Sequence, residues 1–148
     1  MPYTRTLVDG GKGLLKTGVG IVTGEEVLAV SRRDADNEDE IRRLIYGMVD
    51  FSATTSLKLT AGDMRQVVAA NRKLALIDPG RRGIVAIVAP SRMSFGTARE
   101  WHTLSEDFGW TRDIFVDRAS AIEWLRDTVP SGHDPVAFPT LNPAATPG

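Results

Sequence analysis

The stretch GIVAIVAP, Gly83 to Pro90, is an unbroken run of small apolar residues that stops at a proline. A strand with one face in water alternates apolar and polar side chains, whereas a strand covered on both faces has no reason to alternate. At this length, and rich in β-branched residues, the run predicts a strand in the interior of a sheet with cover on both sides. The segments around it should therefore supply parallel neighbours and helical layers.

Working outward, strand and helix signals alternate as that reading requires. Arg5 to Asp9 predicts a short first strand, Gly10-Gly11-Lys12 a turn, and Leu14 to Ile21 a second strand. Thr23 with Glu26 makes a capping box for a helix to about Ser31. RRDADNEDE reads as a charged loop in which Asn37 to Glu40 can cap a helical turn. LIYGMVDF, Leu44 to Phe51, is the next strand, followed by a loop, DFSATTSLKLT. Thr60 and Asp63 start a second helix with Met64, Val67, Val68 and Leu74 at helical spacing, ended by Asp78-Pro79-Gly80. Beyond the buried strand, Phe95, Ala98, Trp101, Leu104 and Phe108 form the stripe of a third helix with Gly109 as C-cap. Arg112 to Val116 is a last strand, and Asp117 caps a last helix with Ala121, Trp124 and Leu125 inward. The expected fold is α/β, a mostly parallel sheet of about five strands with helices on both faces. Residues 1–127 form the domain. Residues 128–148, which carry five of the eight prolines, read as a flexible tail.

Composition narrows the function classes. The chain of 148 residues is 42% hydrophobic and 25% charged, as in ordinary globular proteins. A net charge of -1 argues against a nucleic-acid partner. No apolar run reaches the roughly 18 residues of a membrane span, and the N-terminus lacks a signal-peptide core, so a cytoplasmic location is expected. Without cysteine there is no disulfide, thiol nucleophile or thiolate metal site. No metal and no cofactor are expected.

Four stretches could carry chemistry. Gly18, Gly20 and Gly24 in TGVGIVTGEE lie where a dinucleotide fingerprint would, but the spacing is one residue too long and the ribose-binding acid is missing from the next strand. The capping box explains the turn instead. The loop Asp50 to Ser56 offers Ser52 as a candidate phosphoacceptor at the C-terminal end of a parallel strand, where ligands bind in open α/β sheets. At the same edge Met93, Phe95 and Trp101 can line an apolar pocket facing Phe51 and Met64, with Arg99 near a helix N-terminus as partner for an anionic group. Last, His102 and Glu106 sit at i and i+4, as a base and its orienting acid would, yet no nucleophile elbow accompanies them.

Three motifs carry a family resemblance. GIVTGEE (Gly20 to Glu26), IVAIVAPSRMSFGTAREW (Ile84 to Trp101) and WTRDIFVDRASAIEWL (Trp110 to Leu125) resemble, in order, the markers of the SpoIIAA-like group of STAS-related domains. The resemblance implies a five-stranded sheet with helices on both faces and a protein that is not an enzyme. In partner-switching relatives a serine after the third strand is phosphorylated, within Asp-Ser-[Ser/Gly]-Gly; this chain reads DFSATT, Asp50 to Thr55. Other relatives are similar to lipid-binding Sec14-like domains. The expectation is a binding module for a lipid-like or other amphiphilic small ligand, with Phe51, Met64, Met93, Phe95, Arg99 and Trp101 as its site. The alternative is a regulatory domain that binds a protein partner through Ser52 and its surroundings, and an enzyme using His102 comes third. Exposed apolar helix faces make a homodimer a candidate assembly.

Overall fold

The computed structural model describes residues 2–79 and 83–130. Gly80, in the predicted turn, and residues 131–148 of the predicted tail lie outside the described residues. Five strands, β1 (Tyr3–Val8), β2 (Gly13–Thr23), β3 (Tyr46–Lys58), β4 (Ile84–Val88) and β5 (Thr111–Phe115), form one sheet in the order β1-β2-β3-β4-β5. β1 runs antiparallel to β2, and every other neighbouring pair is parallel. Five helices cover it: α1 (Gly24–Ala35), α2 (Glu38–Arg43), α3 (Ala61–Ile77), α4 (Arg92–Leu104) and α5 (Arg118–Thr128). The predicted interior strand is β4, hydrogen-bonded on both sides. Its side chains divide between two cores. Ile87 belongs to a cluster with Val27, Val67 and Ala98 of α1, α3 and α4, whereas Ala86 and Val88 pack with Ala121 and Leu125 of α5.

The helix starts follow the sequence. Thr23 accepts from the Glu26 N–H while Glu26 accepts from the Thr23 N–H, and Thr60 with Asp63 repeats the arrangement on α3. Asp117 caps α5 by accepting from Ser120. The glycines of TGVGIVTGEE have backbone roles. Gly20, at φ 69°, sits in a left-handed conformation at a register shift between β2 and β3. Gly24 lets α1 meet α3, since a Cβ there would fall 2.1 Å from an Asp63 carboxylate oxygen.

Three boundaries differ from expectation. The segment after Phe51 is not a loop: β3 continues through it to Lys58, paired with β2 as far as Thr23. Thr54 and Thr55 are β-branched and suit a strand, and their hydroxyls masked that in a reading that assigned polar residues to loops. The first half of the charged run is the last turn of α1, because Asp34 turns inward to two cations. At the other end, α4 stops at Leu104, and Phe108 lies in a separate 3-10 turn, Glu106–Phe108, which Gly109 closes.

Candidate functional site

Alternation along the parallel strands points Gly47, Val49, Phe51, Val85 and Ile87 toward α1, α3 and α4. Ile87 and Phe51 are buried, but Gly47, Val49 and Val85 are only half-buried although they lie on interior strands. The reason is a cavity of about 210 Å³ between this face and the helices. Leu14, Gly47, Val49 and Val85 form its floor, and Val67, Asn71 and Leu74 of α3 its roof. Gly47 contributes to the space directly, since it sets no side chain on the floor.

The cavity is closed at one end and open at the other. Phe51, Leu57, Met64 and Val67 are all buried at the end nearer the strand C-termini. At the opposite end Leu74, Ala75, Gly83, Ile84 and Trp110 are half-buried, which makes that end the mouth. Trp101 and Trp110, with ring centroids 6.5 Å apart, stand on the α4–β5 side, and Trp110 meets Phe108 edge-on at 5.1 Å. Arg112, over the Trp101 ring, donates to the His102 carbonyl and the Ser105 hydroxyl at 2.5 Å each. Burial pushes the pKa of this guanidinium down, yet its bonds fix the end of α4 against β5.

One wall is polar. Asp34 of α1, almost fully buried, accepts from Arg5 at 2.5 Å and from Lys16, and Arg5 also pairs with Glu40. Burial works to lower the pKa of Arg5, but hydrogen bonds to Asp34 and Glu40 prevail and raise it. Tyr3, on the same wall, has its phenol pushed up by burial first and by the Asp34 charge second. These charges neutralise one another, two cations against two carboxylates.

Three of the six predicted ligand residues, Phe51, Met64 and Trp101, line this cavity. The other three do not. Phe95 packs against the core cluster, while Met93 and Arg99 are exposed on α4. The prediction put the pocket at the strand C-terminal edge by the general rule for open α/β sheets; here Phe51, Leu57 and Met64 fill that end, and the gap opens at the other. Sequence reasoning missed Asn71, Trp110, Gly47, Lys16 and Asp34. Only the inward-facing Trp110, just before a strand, carried a signal that could have been read.

Ser52 is exposed on β3, not in a loop, and both its N–H (2.8 Å) and its hydroxyl donate to Asp50. Asp50 is fully buried on the α5 side and also accepts from Arg118 at 3.0 Å. His102 and Glu106 do not share a helix, because α4 ends between them. The His102 Nε2 lies instead 3.4 Å from the Arg112 carbonyl. Among the described residues, no group of acids and histidines could hold a metal ion, and no helix is long and apolar enough to cross a membrane.

No family model matches the chain, and no curated protein does. Among solved structures it is similar to one described as the anti-sigma factor antagonist SpoIIAA in its unphosphorylated form. The TM-score is 0.50 and the identity 14%, over 84% of this chain and 97% of that one. It is also similar to an uncharacterized protein from Shewanella loihica described as having a SpoIIAA-like fold, with TM-score 0.48 and 17% identity over 83% and 91% of the two chains. Likeness at such identity concerns the backbone path and not the side-chain chemistry. By that path the chain has the SpoIIAA-like α/β fold.

Proposed function

We propose that the protein is a non-enzymatic binding module that takes a small, largely apolar molecule into the cavity between the sheet and α3. The observation that carries this reading is the half-exposure of Val49 and Val85, apolar side chains of interior strands facing about 210 Å³ of space. A close-packed core leaves few voids larger than a water molecule. Size sets the ligand class. An apolar cavity of about 150 Å³ holds a benzene, and pockets for drug-sized molecules start at about 300 Å³. The occupant is then a single ring with a short substituent, or a short alkyl chain. A long fatty chain does not fit inside, so the amphiphilic ligand expected from sequence contracts to a small one.

Titration of the protein with toluene, followed by methyl NMR of Val49 and Val85 and by Trp fluorescence, tests this. Saturable shifts confined to the cavity lining are expected, and Val85→Phe, which fills the floor, should abolish them. Unperturbed lining methyls at saturating toluene would remove the reading.

A second reading rests on a different place. Ser52 is exposed, its hydroxyl bonds the buried Asp50, and Val19 and Ile21 of the adjoining β2 stretch are exposed as well. A regulatory surface switched by a phosphate at Ser52 suits that arrangement, as the anti-sigma factor antagonist with the similar backbone suggests. Mass spectrometry of the protein from its host decides it: unmodified Ser52 under all growth conditions removes its support.

A further inference from the structure

Asn71 is a polar residue on the roof of the cavity, in the middle of α3 and only 6% exposed. Its side-chain oxygen accepts from Trp101 Nε1 at 2.9 Å. That bond fixes the orientation of the amide, because an indole N–H can only donate and must face the oxygen. The NH₂ end is thereby turned elsewhere, and it meets no acceptor among the described residues. The amide nitrogen is not among the buried atoms left without a partner, so it keeps access to open space, where water or a ligand can accept from it. Asn71 is part of the cavity lining, so the cavity is where an acceptor can be supplied.

From this geometry we infer that the ligand carries a hydrogen-bond acceptor, and that the acceptor is the oxygen of a neutral carbonyl group bound by the Asn71 NH₂. The inference rests on the cavity being a ligand site. Neutrality follows from the charges on the lining. Asp34 and Asp78 both line the cavity, and Lys16, the cation among its lining residues, is already paired with Asp34. Asp34 is already balanced by Arg5 and Lys16, so a carboxylate ligand would meet Asp78 with no further cation among the described lining residues. A small aryl or alkyl ketone, lactone or ester meets both requirements, with its apolar part against Val49, Val85 and Trp110 and its oxygen toward α3. Trp101, held by the same amide, fixes the direction of the donors. Asn71 is thus a specificity-determining residue.

The test compares two probes of the same shape, acetophenone and α-methylstyrene, which differ by a carbonyl oxygen in place of a methylene group. Binding is measured by NMR titration on the intact chain and on two variants. Asn71→Asp keeps an acceptor for Trp101 and removes the donors; Asn71→Leu removes both, and circular dichroism checks that each is folded. The native protein should bind acetophenone about three- to tenfold more tightly than its hydrocarbon counterpart, the range of one net hydrogen bond. Both variants should lose that preference while still binding α-methylstyrene. Equal affinity for the two probes in the native protein, or a preference that survives in both variants, overturns the assignment of Asn71 and leaves the cavity reading standing. If neither probe binds the native protein, the cavity reading fails and this inference fails with it.

Discussion

The two faces of the sheet are built from the same strands and solve the packing problem differently. On one, α5 is the helix among the described residues that lays Ala121 and Leu125, both without exposed surface, onto Met48, Ala86 and Val88. On the other, three helices converge and leave a gap over Gly47, Val49 and Val85. A single helix can follow the twist of a sheet along its length, whereas three helices held by their own contacts cannot all reach the floor. α1 and α3 are fixed to each other through Gly24 against Asp63, and Arg112 fixes α4 to β5. The closed face is therefore filled, and the open face keeps unfilled space.

Each face also buries one carboxylate, and removing these should give the largest effects. Asp34→Ala strands Lys16 and leaves Arg5 with Glu40 alone, their side chains 12% and 8% exposed, and should cost about 3–5 kcal/mol in urea unfolding. Asp50→Ala removes an acceptor shared by Arg118 and Ser52 and should cost less. An equal or reversed order would mean that the charges on the open face are already well hydrated.

Truncations come next. Leu125→Ala should destabilise by about 2–5 kcal/mol. Leu74→Ala, at the half-exposed mouth, should cost well under half as much. Similar losses at both sites would show that the mouth is shut in solution. Enlargements should differ in sign. Ala86→Val, in a position with no exposed surface, should cost about 1–3 kcal/mol, while Val49→Ile should stabilise by about 0.5 kcal/mol or be neutral as it grows into the cavity.

The smallest effect concerns the cap of α5. The Ser120 backbone N–H first, and the Ser120 hydroxyl second, hold the Asp117 carboxyl below its ordinary value of 3.8. A lowered folded-state pKa adds stability above that ordinary value and loses it as pH falls through the lowered one. An Asp117→Asn variant, compared with the parent in acid titrations of unfolding, should show a slightly shallower loss in that window.

How much of this was legible follows the range of each interaction. The capping pairs Thr23–Glu26 and Thr60–Asp63 and the interior strand Ile84–Val88 were readable because they are decided within a few residues. The mostly parallel sheet came with them, since strands separated by helices pair in parallel. The site was half legible. Phe51, Met64 and Trp101 were found because apolar residues at helical or strand spacing face the sheet. The position of the gap was not, because it depends on how three helices fail to close over one floor. Asp34 reads as part of a charged loop, and nothing in the sequence singles out Asn71. Each is buried through partners 18 to 30 residues away, which no local pattern reveals.

The long β2–β3 pair has a consequence in time. β4 ends at Val88, opposite Asp50, so β3 runs on from Ser52 to Lys58 with β2 on one side and, among the described residues, no strand on the other. Successive amides of a strand point to opposite sides, so roughly every second N–H in this stretch lacks a strand partner. In deuterated water the segment should divide into slow and fast protons along a single strand. Ser52, whose N–H is held by Asp50, should be the slow exception on the open side. Loss of that protection would be the earliest sign that the strand end has begun to peel away.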